Sequence, residues 1–120
     1  TLGVHSVFEV PASFVSQQID TVMTDIGTDA VKTGMLLCKD IVDVVSLKIK
    51  EYHIKRVVVD PVMLSKNERM LLSTDAIYAL TAHLFPLSFI VTPNIPEAEY
   101  ITGLKIQNLS HAEERLGYKK

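Results

Sequence analysis

A parallel α/β fold is what this sequence predicts, on three observations. Val57, Val58 and Val59 are apolar without alternation, as in a strand covered on both faces. That strand stops at Asp60-Pro61, and a second apolar run, Phe89-Ile90-Val91, stops the same way at Thr92-Pro93-Asn94; proline cannot donate to a sheet ladder, so each marks where pairing ends. Around these runs lie segments with apolar residues three and four apart, so that strands and helices alternate, the pattern of right-handed βαβ crossovers. Ligands in such sheets bind outside the carboxyl ends of the strands. Asp60 is therefore the first candidate to face a ligand or a metal.

Taken in order, residues 1–10 alternate loosely and read as an extended segment or a short edge strand. Pro11 opens a helix over 12–26, in which Phe14, Val15, Ile19, Val22, Met23 and Ile26 form the apolar stripe and Gln17, Gln18, Asp20 and Thr24 the wet face. Gly27 stops it. Residues 29–36 form a short strand running into Gly34. Asp40 is the expected N-cap of the next helix, with Ile41, Val42, Val45, Ile49 and Tyr52 on one side and Lys48, Lys50 and Glu51 opposite. The strand at 55–60 follows, then a polar loop from Ser65 to Arg69. Ser73 or Thr74 caps a helix that buries Ile77, Leu80 and Leu84 before Pro86 closes it. After the strand at 89–91, Asn94 caps a helix with Pro96 and Glu97 in its first turn and Gly103 at its end. Lys105-Ile106-Gln107 reads as loop, and Ser110 with Glu113 gives one more capping box. Three parallel strands leave open edges.

Composition sets the class. Of 120 residues 48% are hydrophobic and 22% charged, with a formal net charge of −2, values of a single globular domain and not of a disordered segment. No apolar run approaches the roughly 20 residues of a membrane helix, and no basic cluster suggests nucleic acid. Cys38 is the only cysteine, which excludes an intrachain disulfide framework and suits a reducing compartment, the cytoplasm. No His or basic residue adjoins Cys38, so it reads as a small buried or helix-flanking residue and not as a catalytic thiol.

The chemistry collects at the strand ends. Asp60, Asn94 and Glu97 come from two of them, and carboxylates with an amide suit a hard cation that takes oxygen ligands through water, as Mg²⁺ does beside phosphates. Asn94-Ile95-Pro96-Glu97 also has the spacing of a capping box, which needs no ligand; a cap, however, does not require a carboxylate on the neighbouring strand. At the end of the first strand, Gly34 lets the backbone approach a flat ligand, and Met35 packs on a ring or in the core. Lys66 is a candidate for neutralising phosphate. The histidines at 5, 53, 83 and 111 lack metal-ligand spacing, and His53 and His83 lie near helix carboxyl ends, where the dipole accounts for them. No Walker loop or dinucleotide fingerprint is present.

Together, Thr1-Leu2-Gly3-Val4-His5, the helix Phe14 to Ile26 with Gln18-Ile19-Asp20, Val31-Lys32-Thr33-Gly34-Met35-Leu36, Val59-Asp60-Pro61-Val62-Met63 with Lys66, and Thr92-Pro93-Asn94-Ile95-Pro96-Glu97-Ala98-Glu99 resemble hydroxymethylpyrimidine kinase/hydroxymethylpyrimidine-phosphate kinase of thiamine biosynthesis. The resemblance covers nearly the whole chain in the right order. It implies part of a ribokinase-like three-layer α/β/α fold with a mainly parallel sheet, and transfer of the γ-phosphoryl of ATP, with Mg²⁺, to a hydroxymethylpyrimidine or its monophosphate. It places Asp60, Val62, Lys66, Thr92 and Asn94 on the ATP and phosphate side, Asp60 and Glu97 at the metal, and Gly34 and Met35 at the pyrimidine. It further implies a cytoplasmic homo-oligomer. Pyridoxal kinases of the same superfamily are the rival within the enzyme class, and a shortened, non-catalytic binding or assembly chain is the rival outside it.

Two departures accompany the resemblance. After Lys66 the family has a small Ser-Gly type turn where this chain has Asn67-Glu68-Arg69-Met70. The family's Gly-rich substrate loop falls before Thr1, and its Gly-Thr-Gly-Cys type anion hole after Lys120. The expectation is the central part of one kinase domain, with no catalytic residue of the anion hole in these residues and little activity by them alone.

Overall fold

The computed structural model describes residues 6–64 and 70–106; the expectations for residues 1–5, for Lys66 and its loop, and for the capping box at Ser110 lie outside them. The element order is α1 (Ala12–Asp25), β1 (Val31–Thr33), α2 (Lys39–Glu51), β2 (Val57–Val59), α3 (Thr74–Ala79), β3 (Ile90–Val91) and α4 (Ile95–Thr102). The three strands form one parallel sheet in the order β1-β2-β3, as the alternation predicts. All three are shorter than expected. Residues 6–10 join no ladder among the described residues.

The core follows the helical stripes. Ile41, Val42, Val45 and Ile49 of α2, Ala76, Ile77 and Ala79 of α3 and Leu80 and Leu84 beyond it pack on Val57 and Val59, with Met63 and Leu72 completing the cluster. Val57 and Val59 are fully buried, but Val58 is only half-buried. Its cross-strand neighbours Lys32 and Ile90 share its face because side chains alternate along a strand, and both are exposed. The unbroken valine run predicts a strand sealed on both sides; the described residues seal one.

Helix ends show where local chemistry won. Asp40 is not the N-cap of α2: Cys38 holds that position with extended backbone, and Asp40 sits in the first turn, where its charge complements the helix dipole. Ser73 caps α3 by accepting from the Ala76 N–H. Beyond Ala79 the helix widens into a π turn over Leu80–Leu84 and then tightens to a 3-10 turn over Phe85–Leu87. Pro86 explains the change: a proline within an α-helix clashes with the carbonyl four residues earlier and donates nothing, and the Phe85 N–H instead reaches back to the Leu80 carbonyl. Gly27 and Gly103 end α1 and α4 in the left-handed region, with φ of 68° and 70°.

α1 carries the expected amphipathic stripe, yet none of its residues is buried. Val15 and Ile19 touch the core, while Phe14 and Val22 are about half exposed. A groove of about 420 Å³ runs between α1, α2 and β1, lined by Ile19, Val22, Met23, Val45 and Ile49 among others.

Candidate active site

The parallel register brings three chain reversals to one edge. The Asp60 N–H donates to the Thr33 carbonyl (3.0 Å) and the Thr92 N–H to the Val59 carbonyl (2.9 Å), so the pairing runs one residue past each strand and, continuing the register, aligns Gly34, Asp60 and Thr92. Past Asp60 the Val62 N–H folds back onto the Asp60 carbonyl (2.9 Å), a three-residue turn with Pro61, whose fixed φ suits it, at its centre. An antiparallel bridge joins Leu64 to Met70.

On the neighbouring strand end, Asn94 and Glu97 form a complete capping box. The Asn94 side chain accepts from the Glu97 N–H (2.8 Å), and Glu97 Oε1 accepts from the Asn94 N–H (3.0 Å). Glu97 does more than cap. Its Oε2 accepts from the Met63 N–H (3.2 Å), and the residue is only 4% exposed. The two strand ends that the sequence associates through Asp60, Asn94 and Glu97 are thus tied by a buried carboxylate. The sequence reading offers no sign of the Met63 partner, because a backbone N–H has no residue type to betray it.

Asp60 is the open carboxylate of the pair. Its side chain is 36% exposed and lies 3.9 Å from the Lys32 ammonium. Lys32 is a contact that sequence reasoning missed, although register predicts it: Lys32 pairs with Val58, and Asp60 stands two residues on, on the same face. Met35 is 40% exposed and so not core among the described residues. A Cβ built on Gly34 meets nothing within 4 Å, leaving room above it. Thr33 is buried, and its Oγ1 has no hydrogen-bond partner among the described residues. Cys38, at the N-cap position of α2, has its thiol pushed up from the usual range by burial and then by Glu9, the opposite of an activated nucleophile.

The donor set at this edge is carboxylate and amide oxygen with backbone N–H groups, the chemistry of a hydrated hard cation beside phosphate. Asp60 fits that role, being half-open to water. Glu97 fits it as a neighbour, since both its oxygens already accept from backbone. Among the described residues no three His, Cys, Asp or Glu side chains gather around one point.

Comparison with known proteins gives this edge a context. The family described as phosphomethylpyrimidine kinase matches residues 1–117. The chain belongs to that family. It is 47% identical over 109 residues to the hydroxymethylpyrimidine/phosphomethylpyrimidine kinase of Bacillus subtilis, covering 91% of this chain and 40% of that one. The crystal structure of phosphomethylpyrimidine kinase from Clostridium difficile superposes with a TM-score of 0.84 at 41% identity, over 95% of this chain and 51% of that one. An ADP complex of Bacillus subtilis pyridoxal kinase superposes at 0.80 with 32% identity, over 94% of this chain and 42% of that one. The phosphomethylpyrimidine kinase family and the ribokinase-like α/β fold inferred from the motifs both stand. The chain spans between 40% and 51% of the length of these relatives.

Proposed function

We propose that the protein containing this chain transfers a phosphoryl group from ATP to 4-amino-5-hydroxymethyl-2-methylpyrimidine, to its monophosphate, or to both, in thiamine biosynthesis, these residues forming the central part of its kinase domain. The observation that carries this is the family match across residues 1–117, joined to a strand edge where a half-open aspartate adjoins a capped helix N-terminus. Phosphoryl transfer asks a protein mainly for positioning and for neutralising charge. Mg²⁺, when bound, supplies much of that neutralisation. Asp60 and Glu97 are the carboxylates on its side of the site, and Asp60 is the one that would hold it, through water. Thr92 and Asn94 face the phosphates, Val62 borders the nucleotide, and Lys66 neutralises phosphate from its loop. Gly34 and Met35 border the pyrimidine. The resemblance extends the proposal to a cytoplasmic homo-oligomer.

The test is turnover by the natural full-length protein. With ATP and Mg²⁺, the hydroxymethylpyrimidine or its monophosphate should be phosphorylated faster than pyridoxal. Faster pyridoxal turnover would reassign the substrate to the rival vitamin kinases, a reading kept open by the pyridoxal kinase superposition; no turnover of any alcohol would leave nucleotide binding as the function to test. Asp60→Asn should slow the reaction by on the order of 10²-fold, the size of effect seen when a charge-stabilising group is lost, and added Mg²⁺ should restore part of it. Kinetics unchanged by this substitution would return Asp60 to a structural role.

A further inference from the structure

Both oxygens of the Glu97 carboxylate accept a backbone N–H without any ligand. In an ordinary capping box one oxygen meets the N-cap N–H and the other is left to water; here Oε1 takes the Asn94 N–H and Oε2 takes the N–H of Met63, on the loop after β2. Met63 is itself wholly buried, so this hydrogen bond pins a backbone segment whose side chain is locked in the core. A buried N–H without a partner is costly, and Glu97 supplies the partner of the buried Met63 N–H while also holding that of Asn94. Between Thr33 and Glu97 the turn that presents Asp60 is held at three points: the Asp60 N–H on Thr33, the Val62 N–H on the Asp60 carbonyl, and the Met63 N–H on Glu97.

A cation ligand needs an oxygen lone pair directed into open space. Asp60 has one; Glu97, 4% exposed, is turned inward. We propose that Glu97 is a positioning residue that clamps the Asp60–Met63 turn to the start of α4, and that it does not itself ligate the metal. This rests on the reading of Asp60 as the residue at the metal and phosphates. Asn94 and Val62 are set by the same clamp, one on each side of it.

The experiment uses the full-length protein with a non-hydrolysable ATP analogue and Mn²⁺ in place of Mg²⁺. Mn²⁺ affinity, read by electron paramagnetic resonance, should fall at least tenfold in Asp60→Asn and less than threefold in Glu97→Gln. Amide exchange at Met63 should quicken at least tenfold in Glu97→Gln, whose side chain sets an NH₂ donor where one of the two acceptor oxygens stood, and the loss of kcat should persist at saturating Mg²⁺. A tenfold loss of Mn²⁺ affinity in Glu97→Gln with Met63 still protected would overturn the clamp and make Glu97 a ligand. Should Glu97→Gln fail to fold, the wild type decides: Met63 exchange must stay slow when metal and nucleotide bind, and acceleration would show the carboxylate being drawn away to the cation. Absence of any kinase turnover in the wild type would sink the functional reading alone, since the Met63 and Mn²⁺ results do not depend on it.

Discussion

Thr33 and Gly34 adjoin at the end of β1, and the structure separates what each does. Thr33 buries a hydroxyl that finds no partner among the described residues, and an unsatisfied buried polar group costs free energy that an isosteric methyl avoids. Thr33→Val should therefore raise stability, by about 1 kcal/mol, read as a higher urea midpoint at unchanged slope; a lower midpoint would mean that the hydroxyl is bonded in the whole protein. Gly34 is outside the left-handed region and has open space where a Cβ would sit. Folding does not require glycine there, so Gly34→Ala should leave stability within about 0.5 kcal/mol. If the pyrimidine lies against that backbone, the added methyl should raise its KM on the order of tenfold, with KM for ATP unmoved. An unchanged pyrimidine KM would remove Gly34 from the substrate site.

Among the elements, α1 and α2 are joined by a polar cluster in place of a sealed core. Lys48 Nζ lies 2.7 Å from Asp20 Oδ1 and 3.2 Å from Glu51, and the Tyr52 hydroxyl donates to Asp20 at 2.6 Å. Lys48 and Tyr52 hold the Asp20 carboxyl below its usual range, so its contribution is present above the unfolded carboxylate pKa and fades as pH falls through the lower folded one. The same bond, with burial second, pushes the Tyr52 phenol up to about 12; that contribution is complete below the unfolded value near 10 and is lost as pH rises through about 12. Amide exchange in α1 should quicken at both extremes, and Tyr52→Phe should abolish the alkaline limb; an unaltered limb would assign it to another group. The carboxyl end of α2 offers a separate gain. His53 has φ of 52°, with its N–H on Lys50 and the Ile54 N–H on Ile49, a Schellman ending in which glycine is the unstrained occupant. His53→Gly should stabilise by about 1 kcal/mol, checked by thermal melting. Sequence assigns His53 to the helix dipole because composition shows that a helix ends there but not the φ at which it ends. The stripes of α2 and α3, the Asn94–Glu97 box and both proline-terminated strands were legible because each rests on near neighbours in the chain. The Met63–Glu97 and Lys32–Asp60 contacts were not, because they depend on register between strands, and the helix before Pro86 was misjudged because it relaxes through a π turn and does not stop.

At the scale of the whole molecule, the described residues leave much apolar surface uncovered. Among the described residues β1 and β3 are the outer strands of the sheet, and outer strands template pairing between chains unless they are covered. Phe89, beside β3, is 73% exposed and Ile90 45%; on the other side the groove by β1 opens onto Val22 and Met23. One open sheet face, exposed aromatic and aliphatic side chains beside the outer strands and an apolar groove exceed what a monomeric domain ordinarily shows to water. The 120-residue polypeptide, prepared alone, should therefore self-associate, its light-scattering mass lying above 13.4 kDa and rising with concentration. Phe89→Lys places at the β3 edge the residue that natural edges use against pairing, and because that side chain is already in water the fold should not suffer. It should shift the mass toward the monomer. Val22→Lys should do so less, since it guards the groove and not an edge. If the wild-type chain holds a monomer mass across a hundredfold dilution series, the exposed edges do not template association, and the uncovered surface is tolerated by this fold.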